Sequence, residues 1–351
     1  MAEIIKGNHA IAEAAIRSGC RFFSGYPITP QSEILEYMSW RLNEVGGTFV
    51  QTKSELAGIS MLYGAASCGF RTMISSSGPG FSLLQEGISY LAAAELPSVV
   101  VDLMRFGSGL GDISPAQGDY LQVAKNGGHG DYRCIAYAPA SIQDVVDYMN
   151  KAFSIAEKYR NPVLMACDGT IGQMVESVVF PEMYQHDPDQ FDWSIKDQRE
   201  AVHKQVTSKM YYDYIDEDYC AHFREKYDAM ESEAEWESFY AEDAELILVS
   251  YGTMSRICRD AVLLARKDGL KLGMIRPITL WPFPKQAFKA VAPKAFLTVE
   301  MSVIPQMAED VSLAARGIAP NYSYTTGMHY PDEVRIIEEV KLVLNNKKEE
   351  V

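Results

Sequence analysis

The sequence predicts an α/β fold: a parallel sheet with covering helices, followed by a smaller α/β unit. Three observations predict it. From residue 1 to about 180, short apolar runs alternate with amphipathic stretches, the pattern of strands joined by crossover helices. At 351 residues the chain exceeds one ordinary hydrophobic core, so two domains are expected. Beyond a segment of different character, a second strand–helix–strand pattern opens at Ala244. With 47% hydrophobic and 23% charged residues, the chain has the composition of an ordinary folded protein.

The elements follow in order. In the first unit, 1–180, strands are expected at 20–24, 48–51, 72–75, 98–102, 134–138 and 163–166. Helices are expected at 31–42, 55–68, 83–94 and 142–158, the last capped by Ser141 with Asp144 three residues on. Residues 181–243 are rich in Asp, Glu, Tyr and Trp, as in Met210-Tyr211-Tyr212-Asp213-Tyr214, and show no strand-like alternation. They read as an acidic linker with surface helices packing through their aromatics. The second unit, 244–351, has strands at 246–252, 272–275 and 295–299, a proline-stiffened stretch at 276–284, and a charged, fraying tail from Asn345.

Charge and cysteine usage narrow the partners. A net charge of −15 argues against nucleic acid or an anionic membrane. The start has neither a basic n-region nor a long apolar h-region, so no signal peptide is expected; no uncharged apolar stretch along the chain approaches the length of a bilayer span, so none is expected either. The six cysteines (Cys20, Cys68, Cys134, Cys167, Cys220, Cys258) are scattered without a C-x-x-C pair, as in a reduced cytoplasmic protein. A hydrolase would need a G-x-S-x-G elbow and a metal enzyme clustered His and Cys; the sequence has neither.

Several motifs follow predicted strands, and in a parallel sheet all of these gather on the carboxyl edge where ligands bind. Gly25-Tyr26-Pro27-Ile28-Thr29-Pro30 brackets Thr29 with two prolines and holds its hydroxyl in one place, although a stiff turn explains the same residues. Glu55 follows the N-cap candidate Ser54, where it either complements the helix dipole or serves chemistry. Ser75-Ser76-Ser77-Gly78-Pro79-Gly80 offers backbone N–H groups and hydroxyls, or is simply a tight turn. Arg105 could pair bidentately with a carboxylate or make a structural ion pair. Residues 107–122 form a long loop of the length of a lid or binding loop; its glycines lack the G-x-G-x-x-G spacing. His129, framed by glycines, offers acid–base chemistry or an ordinary loop hydrogen bond.

Taken together, Gly7-Asn8-His9-Ala10-Ile11-Ala12-Glu13-Ala14, the Gly25–Pro30 turn, Ser76-Ser77-Gly78-Pro79-Gly80, Gln85-Glu86-Gly87, Gln117-Gly118-Asp119-Tyr120 and Gly127–Arg133 resemble the alpha subunit of 2-oxoacid:ferredoxin oxidoreductases. Arg276 to Pro284 resembles the same subunit, and the 109–120 loop looks most like the branched-chain (3-methyl-2-oxobutanoate) members. The resemblance implies a pyrimidine-type thiamine diphosphate-binding domain and a transketolase-C-terminal-like domain. It also implies CoA-dependent oxidative decarboxylation of a 2-oxoacid, with electrons passing to ferredoxin. Members that act on 2-oxoglutarate or another 2-oxoacid are the near alternative; a non-catalytic scaffold subunit is the distant one.

Carried over, Glu55 matches the glutamate that hydrogen-bonds the aminopyrimidine ring, and Thr29 and Arg105 match residues that contact the oxoacid. Pro27, Ile28, Ser77 and Gly78 are then expected to touch the cofactor, and His129 the substrate. A carboxyl group on the pyrimidine nitrogen favours the tautomer that removes the thiazolium proton. The diphosphate motif of thiamine enzymes, Gly-Asp-Gly and a following asparagine, is missing: Asp168-Gly169 follows Cys167, and no asparagine lies between Asn161 and Asn321. Cysteine sets for iron–sulfur clusters are missing too. The resemblance therefore implies a beta subunit bringing the diphosphate and Mg2+ half-site, gamma- and delta-type subunits with the clusters, and activity only in the complex. Two stretches depart from the family: Pro305 stands where a glycine is usual, and Thr325-Thr326-Gly327-Met328-His329 is looser than the family's glycine-rich turn.

Overall fold

The computed structural model describes residues 2–195, 206–208 and 217–350; the 210–214 aromatic run lies outside the described residues. In chain order the elements are β1 (Ala2–Lys6), α1 (Gly7–Arg17), β2 (Phe22–Gly25), α2 (Ser32–Glu44), β3 (Thr48–Gln51), α3 (Glu55–Ser67), β4 (Thr72–Ser76), α4 (Pro79–Ala93), β5 (Ser98–Met104), α5 (Tyr120–Ala124), β6 (Ile135–Tyr137), α6 (Ile142–Tyr159), β7 (Pro162–Asp168), α7 (Gly169–Gln173) and β8 (Val175–Val179). There follow α8 (Glu217–Met230), β9 (Trp236–Phe239), β10 (Leu246–Val249), α9 (Met254–Lys267), β11 (Leu272–Pro277), β12 (Thr279–Trp281), α10 (Lys285–Lys289), β13 (Ala295–Glu300), α11 (Met307–Ala314), β14 (Asn321–Thr325) and α12 (Glu333–Leu344).

Among the described residues the strands make a seven-stranded sheet of order β12-β6-β7-β5-β4-β2-β3, a five-stranded sheet of order β14-β13-β10-β11-β9, and a β1–β8 ribbon. The first six strand candidates all fall in the large sheet and pair in parallel. β5 is the spine: all seven of its residues are buried and register one for one with β7. A strand covered on both faces reads as a continuous apolar run, so Asp102 within it is an anomaly. The chain passes from β2 to β3 on one side, then crosses to β4 on the other. The crevice between the carboxyl ends of β2 and β4 is therefore a topological switch point, where doubly wound sheets place their ligands.

Local chemistry sets the helix starts. Ser54 Oγ accepts from Ala57 N at 3.3 Å and starts α3 with Glu55 as its first residue. Ser141 Oγ accepts from Asp144 N at 3.0 Å, as its sequence pattern predicts. α4 starts at Pro79, four residues before the expected 83, because Gly78 at φ +48° turns the chain and proline suits the first helical turn.

β1, β8 and β14 are strands that the sequence reading did not include, and two further elements change how the units join. Trp236–Phe239, placed in the linker, is a strand paired antiparallel to β11. Polar Glu237 and Ser238 between two aromatics hid the alternation, and Arg259 and Arg276 hold Glu237 in place. Thr279–Trp281, read as part of the second unit, instead pairs antiparallel with β6 and extends the large sheet. The two units are thus laced together. One apolar cluster runs from Ile59 of α3 and Leu84 of α4 through Tyr120 and Tyr132 to Tyr251, Phe288 and Phe296. A second, under α1, α2 and α6, covers the opposite face of the large sheet.

Candidate active site

The β2–α2 turn, the start of α3, the β4–α4 turn and the end of β5 meet at the switch point. Glu55 is buried, and its Oε1 lies 3.5 Å from Ser76 Oγ. Gly80 packs against it so closely that a Cβ there would fall 2.4 Å from Glu55 Oε1. The missing side chain is what lets the carboxylate sit where it does. The three serines of the β4 turn are fully buried: Ser75 Oγ donates to Gln31 Oε1 at 2.7 Å, Ser76 faces Glu55, and Ser77 Oγ has no protein partner. Gln31 in turn donates to Tyr26 O at 3.0 Å, tying the two turns together.

Arg105 stands on the far side of Gly78, whose missing Cβ would lie 3.2 Å from Arg105 Cγ. Its guanidinium is buried but, among the described residues, forms no carboxylate pair. Nη1 donates to Thr29 O at 2.8 Å, Nη2 donates to Leu110 O at 2.6 Å, and Nε has no protein partner. Thr29 is exposed beside it, followed by a cis bond to the buried Pro30. Pro27 is exposed and Ile28 half-buried on the same turn. Glu55, Thr29, Arg105, Pro27, Ile28, Ser77 and Gly78 are thus brought together, with the Ser77–Gly80 turn wedged between the glutamate and the arginine. His129 is not among them. It is exposed on the flank of α4, where its carbonyl accepts from Ser89 Oγ and the adjoining Gly127 N donates to Gln85 Oε1 at 3.0 Å.

The long loop divides in two. Residues 106–114 form a hairpin closed by Phe106 N donating to Ser114 O at 2.8 Å, with Leu110 and Ile113 exposed at its tip. Residues 116–122 are instead the joint between the units. Gln117 N donates to Met301 O at 2.6 Å, its Oε1 accepts from Met301 N, and its Nε2 donates to Tyr251 O, both at 2.9 Å. Gln306 Nε2 donates to Gly118 O at 2.9 Å, and Tyr120 Oη donates to Asp310 at 2.6 Å. Glu300 accepts from the backbone N–H groups of Gln306, Met307 and Ala308 and caps α11, so the chain with Pro305 keeps a well-anchored turn.

Sequence reasoning did not single out two acids behind Arg105, Asp102 and Asp119; the available signal was a charge inside an apolar strand. Burial, with the neighbouring Asp119 carboxyl, pushes Asp102 well above the usual carboxylate range, against the pull of the Gly78 N–H. Burial likewise pushes Asp119 up to about 6, opposed by a hydrogen bond from Gln122 and the charge of Arg105. Asp168, at the end of β7, is committed inward. It accepts from Thr253 N at 2.8 Å, Thr253 Oγ1 at 2.7 Å and Ile171 N at 3.4 Å, and burial raises it as well.

The chain is similar to known proteins along its length. Residues 13–240 match a family described as pyruvate flavodoxin/ferredoxin oxidoreductase, thiamine diphosphate-binding, and residues 244–347 match pyruvate:ferredoxin oxidoreductase core domain II. It is 48% identical to the ketoisovalerate oxidoreductase subunit VorB of Methanothermobacter marburgensis, over 89% of this chain and 90% of that one. It is 37% identical to the 2-oxoglutarate synthase subunit KorA of Methanocaldococcus jannaschii, over 86% and 88%. Its fold resembles a 2-oxoglutarate:ferredoxin oxidoreductase from Magnetococcus marinus, with a TM-score of 0.83 at 24% identity. That match covers 97% of this chain and 65% of the longer chain. It also resembles an inactive split-gene transketolase tetramer, with a TM-score of 0.61 at 13% identity, over 98% and 99%.

Proposed function

The chain belongs to the pyruvate flavodoxin/ferredoxin oxidoreductase family, and from that premise we propose that it is the alpha-type subunit of a branched-chain 2-oxoacid:ferredoxin oxidoreductase. The observation that carries this reading is the convergence at the switch point of a buried carboxylate and a buried arginine with an unpartnered Nε, on a chain nearly half identical to a ketoisovalerate oxidoreductase subunit. The reaction is CoA-dependent oxidative decarboxylation of 3-methyl-2-oxobutanoate, with electrons leaving to ferredoxin through iron–sulfur clusters of partner subunits. The complex works in the cytoplasm, and no helix among the described residues is long and apolar enough to cross a membrane.

The residues present fit one half of a thiamine diphosphate site. The Gly80 cradle fixes Glu55 Oε1, and Ser77 Oγ and Arg105 Nε are buried polar atoms without protein partners. Glu55 would hold the aminopyrimidine ring and share a proton with its nitrogen, while Pro27, Ile28, Ser77 and Gly78 would line it. When bound, the cofactor supplies the nucleophilic carbon that adds to the keto group of the oxoacid. Arg105 would orient the oxoacid carboxylate through its Nε edge, because its other two nitrogens are already held by the Thr29 and Leu110 carbonyls. Thr29 would meet the substrate from the exposed lip of the turn, and His129, on the flank of α4, carries no step. Asp168 is occupied by Thr253 and Ile171, which leaves the diphosphate and Mg2+ to a beta subunit.

The test is to co-express this chain with its partner subunits and compare 3-methyl-2-oxobutanoate, 2-oxoglutarate and pyruvate as substrates for CoA-dependent ferredoxin reduction. The expected result is the highest kcat/KM for 3-methyl-2-oxobutanoate and no turnover by this chain alone. A preference for 2-oxoglutarate refutes the substrate assignment, and turnover by the isolated chain refutes the half-site.

A further inference from the structure

Arg105 is flanked by a carboxyl pair that the proposed reaction leaves unused. Asp102 lies three residues before it on β5, 1% exposed, with neither oxygen in a well-formed hydrogen bond. Asp119 is half-buried: its Oδ1 accepts from Gln122 Nε2 at 2.9 Å, while its Oδ2 has no protein partner. Gln122 Oε1 accepts in turn from Ser82 Oγ at 2.8 Å, in the first turn of α4. The chain Asp119–Gln122–Ser82 thus closes round Gly78, the residue that also abuts Arg105. Arg105 and Asp119 feel one another's charge, yet among the described residues no direct ion pair joins them. The guanidinium therefore faces the site with its charge balanced only at a distance.

Among the described residues, the charged and titratable groups facing this pair come from three elements. Asp102 on β5 and Arg105 just after its end face Asp119, and Tyr251 faces both acids from the loop after β10. Cys167 on β7 faces Asp102. Burial holds Tyr251 and Cys167 in their neutral forms, so among the described residues Arg105 is the one positive charge acting on Asp119.

We propose that binding of an oxoacid carboxylate to Arg105 drives a proton from solvent onto the Asp102–Asp119 pair, so that substrate and proton enter the site together. The inference rests on the reading of Arg105 as the partner of the oxoacid carboxylate. The bound anion cancels the positive charge that helps keep Asp119 ionised, and burial is then opposed only by the Gln122 hydrogen bond. The proton adds to a carboxylate oxygen, no covalent bond of the substrate changes, and the site gains no net charge. Proton and anion binding are linked reciprocally, so affinity for the anion rises as the pH falls toward 6.

Calorimetric titration of the assembled complex with 3-methylbutanoate, a branched carboxylate with no keto group to react, reads this directly. Run in two buffers of different ionisation enthalpy at about pH 6.5, the difference in heat gives the protons taken up. If the anion raises the pair's affinity by about one pKa unit, the uptake is about half a proton per site. Asp119→Asn should abolish the uptake, and Asp119→Glu should retain it. Buffer-independent heats in the wild-type complex overturn the inference, as does undiminished uptake in an assembled Asp119→Asn complex. The underlying reading fails separately: an Arg105→Met complex with unchanged affinity for 3-methylbutanoate shows that Arg105 is not the carboxylate's partner.

Discussion

Replacing Gly80 with alanine tests how tightly the Glu55 carboxylate is placed. The new Cβ would fall 2.2 Å from Ser76 Oγ and 2.4 Å from Glu55 Oε1, where ordinary contact begins near 3.4 Å. The helix backbone around Gly80 is the more rigid partner, so the carboxylate has to retreat by about 1 Å. A misplacement of that size at a reacting group costs about 100-fold in rate. The fold should survive. Overpacking costs about 1–3 kcal/mol, and alanine recovers up to about 1 kcal/mol over glycine in a helix. Two assays separate the effects: kcat of the reconstituted complex in oxoacid-dependent ferredoxin reduction, and Tm of the isolated chain. The expected result is a kcat about 100-fold lower with a Tm lowered by only a few degrees. A kcat within about threefold of wild type, in a complex assembled normally, would refute the claim that Gly80 seats a reacting carboxylate.

Three further outcomes follow from the same geometry. Gln117→Ala removes two buried side-chain hydrogen bonds that join the units, stranding Tyr251 O and Met301 N; urea unfolding should show a loss of about 2–4 kcal/mol, and a loss under about 1 kcal/mol contradicts the joint. Asp119 is raised in the fold to about 6, so the stability tied to its proton is full below the unfolded value of 3.8 and is lost as pH rises through 6. Asp119→Asn should therefore stabilise the isolated chain at pH 8 relative to pH 5 by about 1.4 kcal/mol, and a wild-type-like pH dependence in that variant contradicts the assignment. Cys20, Cys134 and Cys258 are buried with thiols pushed up to about 12, whereas Cys220 is exposed; native alkylation read by mass spectrometry should modify Cys220 first, and early labelling of the buried three would show the core is open.

The large sheet was legible because its strands are buried on both faces and stand out as apolar runs between capped helices; Ser54 and Ser141 cap where their side chains predict. What escaped depended on long-range pairing. β12 is three residues long and joins a sheet whose nearest strand, β6, lies some 140 residues earlier, and nothing local in Thr279–Trp281 specifies that partner. β9 carries Glu237 inside a strand because Arg259 and Arg276 arrive from elsewhere to pair it. The site divides likewise. Glu55, Thr29 and Arg105 follow strands, and the switch-point geometry gathers them without further information. That Arg105 is held by the Thr29 and Leu110 carbonyls rather than by an acid depends on how the 106–114 hairpin folds back. Asp119 sat in plain view within Gln117-Gly118-Asp119-Tyr120, but its burial beside Asp102 depends on how the long loop packs back on the end of β5.

Whether Glu55 performs chemistry at a cofactor half-site is decided by Glu55→Gln in the reconstituted complex. Glutamine keeps the size and the contact with Ser76 while removing the carboxylate that would share a proton with the aminopyrimidine ring. Oxoacid-dependent ferredoxin reduction should fall by about 100- to 10,000-fold with the complex still assembled. A rate within about tenfold of wild type would contradict that role.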